Sequence, residues 1–345
     1  MPRKQQKTST EKAKIKSLSG YIWVLYALIV LLVVAYALTS NGIVAGFAFV
    51  IIVMTLIAEF RSSVKDDGAQ KSIYEIVTAL AAVVVLWIVL SVVLNTSSPI
   101  NVVASCSMLP NMHRGDLIIL HGISNMSSFL SSHSVPVVNV PAQRFASMES
   151  NISNEFLAYY VYQPGDKSNI AEITNLTNLP SALYNTKCIG VYQYTGNPRE
   201  FYTCAANQSK DLITYSYSLS RLSLNSNVSN IASISSIAIA NQTIVENYSN
   251  PIIVYKTIPN DTFYPEVIIH RIYAAINVSG KYYILTKGDN NPGIDMEFGN
   301  YPISQSNVVG YVIADIPVLG YIKLILSGQF AQPAGCNYVI LRQNQ

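Results

Sequence analysis

Three long apolar runs open the chain. Tyr21 to Leu38 is almost unbroken apolar sequence, Ile43 to Ala58 follows after the turn Thr39-Ser40-Asn41-Gly42, and Ile73 to Leu94 makes a third. Each approaches the roughly 20 residues that a helix rising about 1.5 Å per residue needs to cross a hydrocarbon core of about 30 Å. The pattern predicts transmembrane helices over 20–39, 42–60 and 73–95, a polar tail over 1–19 and a short loop over 61–72. After Leu94 the apolar runs shorten to strand length. Leu117-Ile118-Ile119-Leu120, Ile252-Ile253-Val254-Tyr255-Lys256, Val267-Ile268-Ile269 and Val308-Val309-Gly310-Tyr311-Val312 read as core strands, and Leu212 to Leu219 alternates with a period of two. Asp315 and Pro317 break the last apolar stretch, which argues against a fourth span. The expected fold is mainly β, with three N-terminal transmembrane helices and a large β-rich insertion over 125–250 that is rich in Ser, Asn, Tyr and Ile.

Charge orients these helices. The tail carries Arg3, Lys4, Lys7, Lys12, Lys14 and Lys16 against Glu11, and the loop after the second run carries Arg61, Lys65 and Lys71, partly offset by Asp66 and Asp67. Both belong on the cytoplasmic side, so three crossings place everything after Leu94 outside. The expected location is the cell membrane, multi-pass, with an extracytoplasmic C-terminal part. A competing reading makes the first run a cleavable targeting segment ending at Ala35-Tyr36-Ala37; the exterior placement survives it. Half of the 345 residues are hydrophobic, 12% are charged and the net charge is +3, with the basic residues gathered at the N-terminus, so no nucleic-acid partner is expected. Cys106, Cys188, Cys204 and Cys336 contain no Cys-x-x-Cys pair, and neither a metal nor a cofactor is called for. Cys188 and Cys204 flank what reads as two strands and a turn and are candidates for a disulfide in an exported domain. Asn-x-Ser/Thr sequons begin at Asn95, Asn125, Asn151, Asn175, Asn207, Asn227, Asn241, Asn247, Asn260 and Asn277, all on the predicted exterior side.

Two separated motifs carry candidate chemistry. The first is Ser105-Cys106-Ser107-Met108-Leu109-Pro110, running through His113-Arg114-Gly115-Asp116 into a strand. The second is Val267-Ile268-Ile269-His270-Arg271-Ile272, followed by Thr286-Lys287-Gly288-Asp289-Asn290-Asn291 and then Asp295. A serine hydroxyl needs a base within hydrogen-bond reach to attack at neutral pH, an imidazole suits that task, and a carboxylate orients the ring and stabilises its charged form.

In this order and behind a membrane anchor, the motifs resemble those of the type I signal peptidases, in the archaeal and endoplasmic-reticulum branch where His replaces the bacterial Lys. The resemblance covers 100–120, 252–300 and 308–326. It implies a signal-peptidase-like β fold built from 99–124 and 251–328, with 125–250 as an inserted accessory domain and 329–345 as a tail. By resemblance Ser107 is the nucleophile, His270 the base, Asp295 the orienting acid and Asp289 an essential supporting residue; which acid touches the ring stays open. Ser105 becomes an oxyanion donor beside the backbone N–H of Ser107, and Met108 and Pro110 belong to the oxyanion and substrate-binding region. The implied partners are preprotein signal peptides, the lipid bilayer and the protein translocation channel. The chain departs from the family with Cys106, where Gly is usual, and with Leu109, where an acid is usual. Cys106 is then a rival nucleophile or a small buried filler, and Lys287 a rival base. From another class, a catalytically silent surface glycoprotein whose insertion binds a partner fits the same sequence.

Overall fold

The computed structural model describes residues 23–146, 160–161, 187–193, 200–205, 212–224, 227–257, 267–298, 302–333, 336 and 338–341. The chain is β-rich behind apolar N-terminal helices. Helix α1, Trp23–Thr39, is the shortest of these; α2, Gly42–Asp67, and α3, Ala69–Val93, are long and apolar enough to cross a membrane. Asn41 caps α2 by accepting a hydrogen bond from the N–H of Ile43. The expected loop over 61–72 contracts to one residue, because Arg61 to Lys65 tolerate helical geometry and only Gly68, at φ +83°, takes the left-handed conformation that reverses the chain.

The principal sheet contains β1 (Ile100–Val102), β2 (Leu117–His121), β3 (Val137–Asn139), β10 (Ile252–Lys256), β11 (Val267–Val278), β12 (Lys281–Lys287), β13 (Ile303–Ser304) and β14 (Val308–Ile316). Its order is β1-β2-β14-β10-β11-β12-β13, antiparallel throughout, with β3 added parallel to β11. Two further antiparallel sheets come from the middle of the chain. One joins β4 (Tyr160–Val161), β5 (Lys187–Gln193) and β6 (Glu200–Ala205). The other runs β15-β7-β8-β9, from β7 (Ile213–Leu224), β8 (Asn227–Ile239), β9 (Gln242–Val245) and β15 (Tyr338–Leu341).

Strand β11 is apolar on both faces because each face meets a different layer. Ile268, Ile272 and Ala275 pack with Ile253, Tyr255, Ile284 and the short helix α4, Met126–Ser132. Tyr273, Ala274 and Ile276 pack instead on Ile237, Ile239 and Ile244 of the β7–β9 sheet. A bulge between Ile272 and Ala274 accommodates the change of face. Burial of each such Ile or Leu contributes about 1.5–3 kcal/mol, so the two sheets hold each other strongly. Within the stretch expected as an insertion from residue 125, Phe129 and Leu130 of α4 lie in the principal core and β3 extends the principal sheet.

Helices α1 and α2 pack on the β part through Val33, Tyr36, Ala45 and Ala48, against Tyr321, Leu324 and Ile325 of α5, Tyr321–Leu326. Tyr36 is fully buried there, which builds α1 into the folded unit and disfavours its removal after Ala37. No more than the flank of α3 is covered, and its side chains from Ile73 to Val93 are broadly exposed, which is compatible with a membrane around it. The C-terminal segment, expected to be a tail, supplies β15, and Cys336 just before it is disulfide-bonded to Cys106. The Cα atoms of Cys188 and Cys204 lie opposite one another across β5 and β6, while their side chains fall outside the described residues, as do the sequons at Asn151, Asn175, Asn207 and Asn260.

Candidate active site

Three neighbouring strands and two turns build the site. In the β10–β11 register Ile253 faces His270 and Tyr255 faces Ile268; in the β11–β12 register Ile272 faces Thr286. Side chains alternate along a strand, so His270, Tyr255 and Thr286 project from one face, each a diagonal neighbour of the imidazole or one step beyond. Asp295 opens the 3₁₀ turn Asp295–Phe298 that follows β12 and enters the same space.

Its Oδ2 lies 2.6 Å from His270 Nδ1 and accepts hydrogen bonds from the Tyr255 hydroxyl at 2.8 Å and the Thr286 hydroxyl at 2.6 Å. All four residues are buried. On the other side of the ring, His270 Nε2 is 2.9 Å from Ser107 Oγ. An ionised carboxylate can only accept, so the 2.6 Å contact takes the proton on Nδ1, and Nε2 then presents its lone pair to the hydroxyl.

Ser107 sits in the turn between β1 and β2. The N–H of Gly115 donates to Val103 O and the N–H of Val103 to Asp116 O, so the Arg114-Gly115-Asp116 turn closes onto the arm that leads to the serine. Gly115 has φ +92°, and a Cβ there would stand 2.2 Å from Cε2 of the Tyr321 ring. The Ser105 hydroxyl is exposed and 3.2 Å from Ser107 Oγ. Met108 is buried beneath the turn and lines the adjoining cleft; Pro110 is exposed and stands apart from that lining.

Asp289 serves a different contact. Its Oδ1 and Oδ2 accept from Arg271 Nε at 2.8 Å and Nη2 at 2.7 Å, and it also bonds Asn111 of the serine turn. Arg271 follows His270 and points to the opposite face of β11, where its Nη1 donates to Asn250 O at 2.6 Å. The carboxylate against the imidazole is thus that of Asp295. Lys287 is buried, with Nζ 2.7 Å from Glu246 Oε1 and 3.2 Å from Gly288 O. Cys106 carries no free thiol, being bonded to Cys336.

A cleft of about 410 Å³ opens beside Ser107, between Asn101–Ser105 on one side and Val267–His270 on the other. Among the described residues β1 pairs only with β2, and β11 pairs with β12 from Arg271 onward, so both walls present strand edges without a neighbour. Lys323, Ser327 and Gln329 make one end of it polar.

Tyr255, Thr286 and Asn290 were not among the residues singled out from sequence. Thr286 and Asn290 lie within the second motif, but Tyr255 occupies an apolar strand where nothing distinguishes it from a core tyrosine.

No family model matches the chain, and no solved structure matches it. Curated relatives do. The chain is 36% identical over 63 residues to the signal peptidase complex catalytic subunit SEC11 of Verticillium alfalfae, 38% identical over 64 residues to that of Pyricularia oryzae, and 36% identical over 63 residues to that of Neurospora crassa. Each match covers 17% of this chain and 37% of the relative's length. These homologues bear out the resemblance to the endoplasmic-reticulum branch of the type I signal peptidases, over a minor part of both sequences.

Proposed function

We propose that this chain is a membrane-bound serine endopeptidase with a signal-peptidase-like β fold, removing N-terminal signal peptides from exported proteins at the extracytoplasmic membrane face. The observation that carries the proposal is the line from Ser107 Oγ through the His270 ring to Asp295 Oδ2, at 2.9 Å and 2.6 Å. Ser107 attacks the scissile carbonyl as His270 Nε2 takes its proton, and Asp295 stabilises the imidazolium that results. His270 then returns the proton to the leaving amine, and water repeats the sequence on the acyl-enzyme. The backbone N–H of Ser107 and the Ser105 hydroxyl are the candidate oxyanion donors; losing one such donor costs about 10²–10³ in rate.

The unpaired strand edges of the cleft suit an extended peptide, which would add main-chain hydrogen bonds on both sides. Only residues 94–99 separate the end of α3 from β1. At about 3.3–3.6 Å per residue that distance keeps the serine near the end of the helix, where the segment following a signal peptide's apolar core would be found. The basic tail, with α1 proposed as a crossing beside the two longer helices α2 and α3, supports the extracytoplasmic side. Since the relatives are named as catalytic subunits of a signal peptidase complex, further subunits are proposed partners, together with preproteins, the bilayer and the translocation channel.

The test is cleavage of a preprotein by the full-length chain reconstituted in lipid. Ser107→Ala and His270→Ala should each abolish processing while Lys287→Ala retains it. Cleavage surviving in the histidine variant would transfer the role of base to Lys287, against its pairing with Glu246. No cleavage of any preprotein by the unaltered protein would favour a catalytically silent surface glycoprotein.

A further inference from the structure

We infer that Asn290, acting with the Cys106–Cys336 disulfide, is a positioning residue that aims the backbone N–H of Ser107, and that the C-terminal strand exists to hold it there. This rests on the role proposed for Ser107. Asn290 is buried, and its backbone N–H and both polar atoms of its side chain are bonded. Its backbone N–H donates to Ser107 O at 2.7 Å, its Nδ2 donates to Cys106 O at 3.2 Å and to Tyr338 O at 2.9 Å, and its Oδ1 accepts from the N–H of Ile340 at 2.8 Å. One side chain therefore joins the nucleophile turn to β15, and the disulfide joins the same two segments a second time.

The peptide between Cys106 and Ser107 is planar, and in a trans peptide the C=O and the N–H point in opposite directions. Fixing Cys106 O on Asn290 therefore turns the Ser107 N–H away from Asn290, and fixing Ser107 O as well leaves the turn no rotation about that unit. The support behind Asn290 is extensive. Strand β15 pairs with β7 through Tyr338 to Leu341, and the β7–β9 sheet packs on the principal sheet through Ile237, Ile239 and Ile244. Its β8 strand also donates a hydrogen bond to the loop, from Ile234 N–H to Pro292 O at 2.7 Å. Gly288 lets the loop close on the turn, since a Cβ there would stand 2.8 Å from Ser107 O. The β7–β9 sheet thereby buttresses the oxyanion donor.

Asn290→Asp keeps the acceptor for Ile340 and removes both donors, and Cys336→Ser removes the disulfide with little change in volume. Reduction by excess dithiothreitol achieves the latter in the unaltered protein, each disulfide taking two electrons and two protons as the reagent closes to its cyclic disulfide. Two readouts are taken on the full-length chain in lipid. In preprotein cleavage, kcat should fall about 10²-fold for Asn290→Asp and about tenfold for Cys336→Ser or reduction, with KM within threefold. In hydrogen exchange, the peptide covering 104–112 should exchange at least tenfold faster in each case while that covering β11 is unchanged. Unchanged exchange over 104–112 in Cys336→Ser and in the reduced protein overturns the inference, even if Asn290→Asp does not fold. If the unaltered protein cleaves nothing, the proposed function falls, and exchange still decides whether Asn290 and the disulfide hold the turn.

Discussion

In the proposed mechanism, replacing Asp295 by Asn separates the two services a carboxylate gives to a catalytic imidazole. In Ser-His-Asp hydrolases the amide exchange drops turnover about 10⁴-fold, because an NH₂ facing Nδ1 forces the proton onto Nε2 and removes the base. Here Oδ2 receives the imidazole N–H and the hydroxyls of Tyr255 and Thr286 together. An amide in this place keeps all three bonds only by setting its oxygen where Oδ2 stands, which preserves the productive tautomer. Charge alone is then lost. Unit charges about 4 Å apart at an effective dielectric of about 20 interact by about 4 kcal/mol, so Asp295→Asn should lower kcat about 10³-fold. Adding Tyr255→Phe and Thr286→Val removes the two groups that hold the amide in that orientation and should deepen the loss by about a further tenfold. The assay is single-turnover cleavage of a preprotein by reconstituted protein. A loss below tenfold for Asp295→Asn would refute the reasoning, and so would a combined variant no slower than the single one.

Other consequences can be measured on the same preparation. Lys287→Met leaves the Glu246 carboxylate without the ammonium 2.7 Å away; a stability loss of about 3 kcal/mol by denaturant titration should accompany near-normal kcat per folded molecule. Gly115→Ala combines a left-handed backbone with a collision against Tyr321 and should destabilise by about 3 kcal/mol or more, seen as a lower thermal midpoint. Arg114→Met removes the buried guanidinium that donates to Ala104 O at 3.1 Å, the Tyr36 hydroxyl at 2.6 Å and Gln329 O at 2.6 Å; proteolysis between α1 and the β part should accelerate at least tenfold.

Elements whose cause is local could be read from the residues, and contacts that arise from convergence could not. The strand expected at Ile252–Lys256 is β10 over those same residues, because an apolar run bounded by Pro251 and a polar stretch has few alternatives. Ser107, His270 and Asp295 stand out in two motifs, yet the motifs do not say which of two acids meets the ring. The β-strand period settles it: Arg271 faces away from His270 and takes Asp289 with it. Tyr255 and Thr286 escape notice because a hydroxyl in a strand acquires meaning only from the strand beside it. The Cys106–Cys336 bond spans 230 residues, a separation across which no local pattern joins those two cysteines, unlike Cys188 and Cys204 about one hairpin. Asn290 reads as a turn residue in Asp289-Asn290-Asn291-Pro292-Gly293, and it is one; its side chain reaches two other segments only because β15 returns to it.

The same convergence explains how a serine on an irregular turn is kept in register with the apolar N-terminal helices. The connection from α3 is short, and it is also bonded along its length. Leu94 O accepts from the N–H of Gly122 at 2.8 Å, the Thr96 hydroxyl donates to Val309 O at 2.9 Å, and Pro99 O accepts from the N–H of Leu120 at 2.9 Å. On the far side, Tyr36 and Arg114 tie α1 to Ala104, three residues before Ser107. The turn is thus approached from two helices through bonded segments, and each further constraint costs little entropy because the residues it orders are already ordered. A serine on such a turn need not rely on a regular element for precision, since the helix hairpin, the 288–295 loop and the C-terminal strand each remove a different freedom.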